Sequence, residues 1–228
     1  MSNRTVRDVA ASLDHAVLRP SFTAADLAAQ AAMCVVRGVG CLCVRPADVA
    51  AAVRLVAGSP VAVASVVGFP HGGHRPETKA LEARLAVADG ARELDMVLNI
   101  GALLSGDARL VCDDIAAVVT EARPHDVLVK VIVETCFLTP ERIVAACGLA
   151  EEAGADFVKT STGFGTGGAT PEVVRIMLDA VGGRLGVKAS GGIRSWDDAV
   201  MYLDMGCRRL GVGDAATILD GGASREGY

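Results

Sequence analysis

Residues 155 to 168 read ADFVKTSTGFGTGG, and Thr170-Pro171 follows almost at once. The apolar run that ends in Lys159 has the length and composition of a short strand. Side chains alternate along a strand, so Phe157, Lys159 and Ser161 point to one side and Val158 and Thr160 to the other. The loop that follows is built of small and hydroxylated residues. Thr170-Pro171 then supplies a capping hydroxyl and a proline at the first helical position, which opens a helix. The stretch is therefore one strand-loop-helix unit. The same plan recurs at 186 to 194, GVKASGGIR, with Ser195-Trp196-Asp197 as the next helix start. Each unit carries a lysine late in its strand. A lysine at a strand end can snorkel to water, but two lysines in like places on successive strands each make protonation of the other harder. Burial adds to that effect, and an uncharged amine attacks carbonyl carbon.

Outward from these units, strand-like runs alternate with alanine-rich helical stretches. The other strands are LDHAVL (13 to 18), GCLCV (40 to 44), VAVASVVGF (61 to 69), RELDMVLN (92 to 99), VLVKVIVET (127 to 135) and RRLGVG (208 to 213). Helices are expected near Thr23, Ala47, Pro76, Asp107, Thr139, Thr170 and Ser195, with a last one after Asp214, and Thr139-Pro140 repeats the hydroxyl-proline start. Eight βα units in 228 residues imply one domain, a closed (β/α)8 TIM barrel over residues 1–228, ending in a glycine-rich tail at 221–228 expected to be flexible. An open doubly wound sheet usually carries GxGxxG after its first strand, and LDHAVLRPSF has none.

Composition narrows the function. The formal net charge of −5 lacks the clustered basic excess that phosphate-backbone binding needs, so no nucleic acid partner is expected. No apolar run nears the length of a membrane span and the N-terminus lacks a signal-peptide core, which points to the cytoplasm. The seven cysteines form no CxxC pair and the four histidines lack metal spacing, so neither a disulfide framework nor a metal site is expected.

Alternation also decides which polar groups enter the barrel. In RELDMVLN, Leu94, Met96 and Leu98 face helices, leaving Glu93, Asp95, Val97 and Asn99 inside. In VLVKVIVET, Val129, Val131 and Val133 take the helix side and send Lys130, Ile132 and Glu134 inward, suggesting a second buried acid-base pair. Asp14 and Cys43 join them by weaker alternation. Interior charges must compensate one another, and a reaction centre explains such a group better than structural pairing alone. Glycines gather at the ends of the last three strands: Gly167 and Gly168, then Gly191 and Gly192, then Gly211 and Gly213. Backbone N–H groups at that end of a barrel commonly hold phosphate.

The stretches LDHAVLRP, VVGFPHG, ELDMVLNIGAL, VKVIVETCFLT, FVKTSTGFGTGGAT and VKASGGIR together resemble the deoxyribose-phosphate aldolases, class I aldolases that work through a lysine Schiff base. The resemblance implies reversible cleavage of deoxyribose 5-phosphate to glyceraldehyde 3-phosphate and acetaldehyde, without metal or cofactor, in a homo-oligomer, a dimer or tetramer. It assigns the Schiff base to Lys159, the neighbouring cation that keeps it unprotonated to Lys188, and proton transfer through a water to Asp95. The terminal Tyr228 resembles the tyrosine on which family members end, with proton transfer at the imine as its implied role. The chain departs from the family pattern at Ala16, where threonine is usual, at Arg19, where lysine is usual, and after the last strand, where Val212, Gly213 and Asp214 replace hydroxylated residues. A carboxylate near a phosphate dianion repels it, so Asp214 is expected to turn back and cap the helix that follows. The rival enzyme is a class I barrel aldolase with a ketone donor such as dihydroxyacetone phosphate. The rival from another class is a sugar-phosphate-binding barrel without catalysis.

Overall fold

Each β-rich run pairs in parallel with the next, and the eighth returns to the first, so the sheet closes on itself. A computed structural model describes residues 4–224 of the chain. After α1 (Val6–Ser12), strands and helices alternate as β1 (Leu13–Val17), α2 (Ala24–Arg37), β2 (Cys41–Val44), α3 (Val49–Leu55), β3 (Ala62–Val67), α4 (Pro76–Ala88) and β4 (Glu93–Val97). They continue as α5 (Ile100–Leu104), α6 (Ala108–Ala122), β5 (Leu128–Ile132), α7 (Pro140–Glu152), β6 (Phe157–Lys159), α8 (Pro171–Val181), β7 (Gly186–Ser190), α9 (Trp196–Met205), β8 (Arg209–Val212) and α10 (Ala215–Leu219). This is the (β/α)8 barrel expected from the sequence.

Two apolar regions hold it together. Outside the sheet, Leu94, Met96, Val129, Val131, Val158, Val187, Leu210 and Val212 pack with the inner faces of the helices in one continuous core. Inside, a smaller cluster of Ala16, Leu18, Cys41, Cys43, Ala64 and Val66 belongs to the first three strands and their ends. Alternation thus sorts side chains as expected through the regular part of each strand. The interior is divided: small and apolar on β2 and β3, charged from β4 round to β8 and on to Asp14 of β1.

Local capping explains the helix starts. Thr23 with Asp26 and Ser195 with Asp198 form reciprocal capping boxes, and the Thr170 hydroxyl accepts from the Val173 N–H at 3.2 Å. Thr139 makes no cap hydrogen bond; its hydroxyl engages Glu141 instead. Two helices were not expected. In α1 a Thr5–Asp8 capping box starts a helix too short to show a period. Asn99, expected inside the barrel, accepts from the Ala102 N–H at 3.0 Å and starts α5.

Between α4 and α6 lies a fully buried ion pair, with Lys79 Nζ donating to Asp114 at 2.6 Å and to the Val97 carbonyl at 2.8 Å. Of the glycine-rich tail, Ser224 N–H donates to the Arg194 carbonyl at 2.8 Å and Ala223 bridges Ser195, so its first residues are tied to the start of α9. Tyr228 lies outside the described residues. Among those residues no helix is long and apolar enough to cross a membrane.

Candidate active site

Strand register brings the charged residues together. Asp95 stands opposite Lys130, and Lys159 stands between Ile132 and Lys188, which is itself opposite Arg209. Asp95 is the hub. Its carboxylate accepts from Lys188 at 2.6 Å, Lys130 at 2.7 Å and Lys159 at 2.9 Å. Asp14 pairs with Lys188, with Arg209 at 2.9 Å and with Lys130 at 3.5 Å, and Glu93 pairs with Lys130 and Arg209.

The charge count within this buried group carries the chemistry. Asp14, Glu93 and Asp95 are three carboxylates; Lys130, Lys188 and Arg209 are three cations bridging them. The group is balanced without Lys159, whose side chain is only 2% exposed, so a fourth positive charge there is surplus. Burial of an uncompensated ion costs several kcal/mol. Burial accordingly drives the Lys159 ammonium below its ordinary pKa; Asp95 opposes this and the Lys188 charge adds to it. Burial acts in the same sense on Lys130 and Lys188, but their carboxylates outweigh it and hold both above the usual lysine value. For Asp95 burial pulls upward, yet Lys130, Lys159 and Lys188 together keep its carboxyl well below the usual range. Lys159 is the member of the group that can give up its proton.

Cys43 forms part of the apolar wall, its thiol pushed up to about 11 by burial and by Asp95, so it is present as a small neutral group. Asp14, Cys41 and Glu93 hold ligand-type atoms within 4.8 Å of one another. Lys130 and Arg209 already occupy the carboxylates, and burial raises the Cys41 thiol well above its usual value. These carboxylates serve as counterions of Lys130 and Arg209.

The supposed pairing of Lys130 with Glu134 is not formed. β5 ends at Ile132, and Glu134 adopts a left-handed backbone at φ 53. Its carboxylate accepts from the Thr162 N–H at 3.2 Å and from the Thr162 hydroxyl, tying β5 to the loop after β6. Beside it Ser161 Oγ is buried and, among the described residues, has no hydrogen-bond partner.

At the mouth, the loops after β6 and β7 touch backbone to backbone. A Cβ on Gly168 would collide with the Gly191 carbonyl, and the Ala169 N–H donates to the Ser190 and Gly191 carbonyls, both at 3.0 Å. Between the loops is a cavity of about 240 Å³ lined by Gly163, Gly165, Thr166, Gly167, Gly168, Gly191, Gly192 and Arg194. Gly211 sits within β8 opposite Asp14 and Ser190, and neither it nor Gly213 lines this cavity. A second cavity of about 510 Å³ shares Gly165 and Thr166 and is walled by Pro70, Ile100, Leu104, Phe137 and Phe164. Asp214 turns back as expected, accepting from the Thr217 N–H at 3.0 Å at the start of α10.

The residues match a known set over most of their length. The description "DeoC/LacD family aldolase" fits residues 9–208. The chain belongs to the DeoC/LacD aldolase family. It is 47% identical over 221 residues to the deoxyribose-phosphate aldolase of Thermococcus gammatolerans, covering 96% of this chain and 98% of that one. The Geobacillus sp. enzyme of the same name is 45% identical over 221 residues, covering 97% and 99%. The solved tetrameric deoxyribose phosphate aldolase of Aeropyrum pernix superposes with a TM-score of 0.89 at 32% identity, covering 95% of this chain and 91% of that one.

Sequence reasoning brought Lys159, Lys188, Asp95 and Asp14 to one place but left Arg209 and Arg194 without roles. Leu210 and Val212 face the helices, so period two alone turns Arg209 inward. Arg194 stood in the quoted GGIR with no periodic signal to mark it.

Proposed function

We infer that this aldolase reversibly cleaves 2-deoxy-D-ribose 5-phosphate to D-glyceraldehyde 3-phosphate and acetaldehyde through a Schiff base on Lys159. The observation that carries the reading is the balance of the buried charges, which makes Lys159 the amine of the group that gives up its proton most readily. Relatives that match the chain end to end bear this activity in their names.

The neutral Lys159 Nζ attacks C1 of the open-chain sugar to give a carbinolamine, which takes up one proton and loses water to give an iminium; that proton is the fourth positive charge restored to the cluster. The C3 hydroxyl passes its proton to the relay water beside Asp95, which later returns one to the enamine carbon, and the C2–C3 bond breaks. Its electron pair flows into the iminium, releasing glyceraldehyde 3-phosphate and leaving an enamine on a cluster that is again balanced. Protonation of the enamine carbon and attack by water then free acetaldehyde and the amine. The surplus charge that keeps Lys159 unprotonated thus also drives the iminium toward the enamine. Asp95, which touches Lys159, is placed to pass protons through a water, and Lys188 acts as the adjacent fixed cation.

The glycine-lined cavity with Arg194 supports phosphate binding by backbone N–H groups of Gly167, Gly168, Gly191 and Gly192 together with a guanidinium. Asp14 anchors Lys188, while Cys43 and its apolar neighbours wall the space beside the amine. Seven free thiols fit the reducing cytoplasm, and the tetrameric Aeropyrum pernix relative supports a homo-oligomer.

The test is turnover of 2-deoxyribose 5-phosphate, followed by release of acetaldehyde. Dihydroxyacetone phosphate is offered in parallel as donor in the condensation direction. Cleavage of the deoxy sugar with no use of the ketone is the expected result; the reverse preference overturns the reading.

A further inference from the structure

Arg209 is on β8 and Glu93 on β4, which lie on opposite sides of the eight-stranded ring. The guanidinium crosses the barrel floor, with Nε 2.9 Å from Asp14 and Nη2 donating to Glu93. Two strings of alternating charge run from this pair. One passes from Glu93 through Lys130 to Asp95, the other from Arg209 through Asp14 and Lys188 to Asp95. Both end on the carboxylate that Lys159 touches.

We propose that Arg209 and Glu93, although neither touches substrate, are positioning residues that keep Lys159 in its reactive form by fixing the charge balance of the buried cluster. The proposal rests on Lys159 being the nucleophile. Every strand that presents a charged or titratable group to the interior contributes to that balance. β1 presents Asp14, β2 Cys41 and Cys43, β4 Glu93 and Asp95, β5 Lys130, β7 Lys188 and β8 Arg209. β3 presents Ala64 and Val66 and adds no charge. Glu134 is turned to Thr162. Arg209 and Glu93 are the most exposed members, with side chains 17% and 7% exposed, so the floor is where the cluster ends.

Removing Arg209 leaves three carboxylates facing Lys130 and Lys188, and the deficit is made good by a proton on Lys159. Removing the Glu93 charge leaves Lys130, Lys188 and Arg209 facing two carboxylates, and protonation of Lys159 becomes harder still. Attack requires the free amine, so kcat/KM rises with pH as Lys159 loses its proton. A raised pKa moves that rising limb to higher pH, and a lowered one moves it down.

The experiment compares pH profiles of kcat/KM for Arg209→Met, Arg209→Lys, Glu93→Gln and the Arg209→Met/Glu93→Gln double variant, with the trapped lysine mapped in each. Arg209→Met should move the limb up by about one pH unit, so that activity below the limb falls about tenfold and returns at high pH. Glu93→Gln should move it down, and Arg209→Lys and the double variant should return it toward the starting position. Limbs that stay in place while the plateau drops would show a purely structural pair and overturn the proposal, as would shifts of the two single variants in the same direction. If Arg209→Met does not fold, Glu93→Gln decides alone, because its limb must move down. A trapped label on another lysine would refute the nucleophile assignment itself, whereas a label on Lys159 with no limb shift refutes only the role of the floor.

Discussion

Lys188 and Asp95 both touch the reacting group's surroundings, yet removing them has opposite electrostatic consequences. Lys188→Leu takes away a fixed cation that pairs with Asp14 and Asp95. Three carboxylates then face Lys130 and Arg209 alone, the deficit is made good by a proton on Lys159, and activity at pH 7 should fall by at least about tenfold and recover in part as pH is raised. Undiminished turnover at pH 7 would exclude the role. Asp95→Asn removes a negative charge, which favours the free amine, while costing the carboxylate proposed to pass protons. Borohydride trapping should persist in that variant as proton exchange at the acetaldehyde methyl slows by roughly 10²–10⁴-fold. Exchange at the wild-type rate would make Asp95 a structural carboxylate. These residues were legible in the sequence because each sits within a regular strand, where period two is dependable. Glu134 was misread because β5 had already ended and a left-handed residue reset the direction. Arg209 obeyed the same period but stood beside Arg208 at the start of its strand, where a charged residue is as readily taken for solvent-facing.

At the scale of elements, the pairing of α4 with α6 depends on an ion pair that the catalytic account does not use. Lys79 and Asp114 have no solvent access. Burial pushes the lysine down and the aspartic acid up, and each is the main group that opposes this in the other. Lys79→Met keeps the stem that lies against Gly68 but leaves Asp114 without its cation, and should cost about 3–5 kcal/mol in chemical unfolding. Lys79→Met combined with Asp114→Leu should recover most of the loss, while a single variant as stable as the parent would show that the pair contributes little. This pair went unread in the sequence because Lys79 and Asp114 lie on separate helices 35 residues apart, although each interrupts the buried stripe of its own helix. Helix starts were readable where a hydroxyl or acid precedes the first turn, as at Thr23, Thr170, Ser195 and Asp214. The short helices α1 and α5 were not, since seven and five residues complete too few turns for amphipathic spacing to emerge.

For the molecule as a whole, the closed ring turns distant sequence into neighbours. Asp14 and Lys188 are 174 residues apart and share a hydrogen bond. The strand count and the absence of a dinucleotide turn made the barrel readable from the chain alone. The sign and sum of its interior charges were not, because that sum depends on which side chains reach across the floor. On the proposed mechanism this sum leaves one amine uncharged and nucleophilic. Incubation with acetaldehyde and borohydride, followed by peptide mass mapping, tests it directly. The adduct should sit on Lys159 alone and its yield should fall as pH drops below the Lys159 limb. An adduct on Lys188 or Lys130, or a yield indifferent to pH, would contradict it.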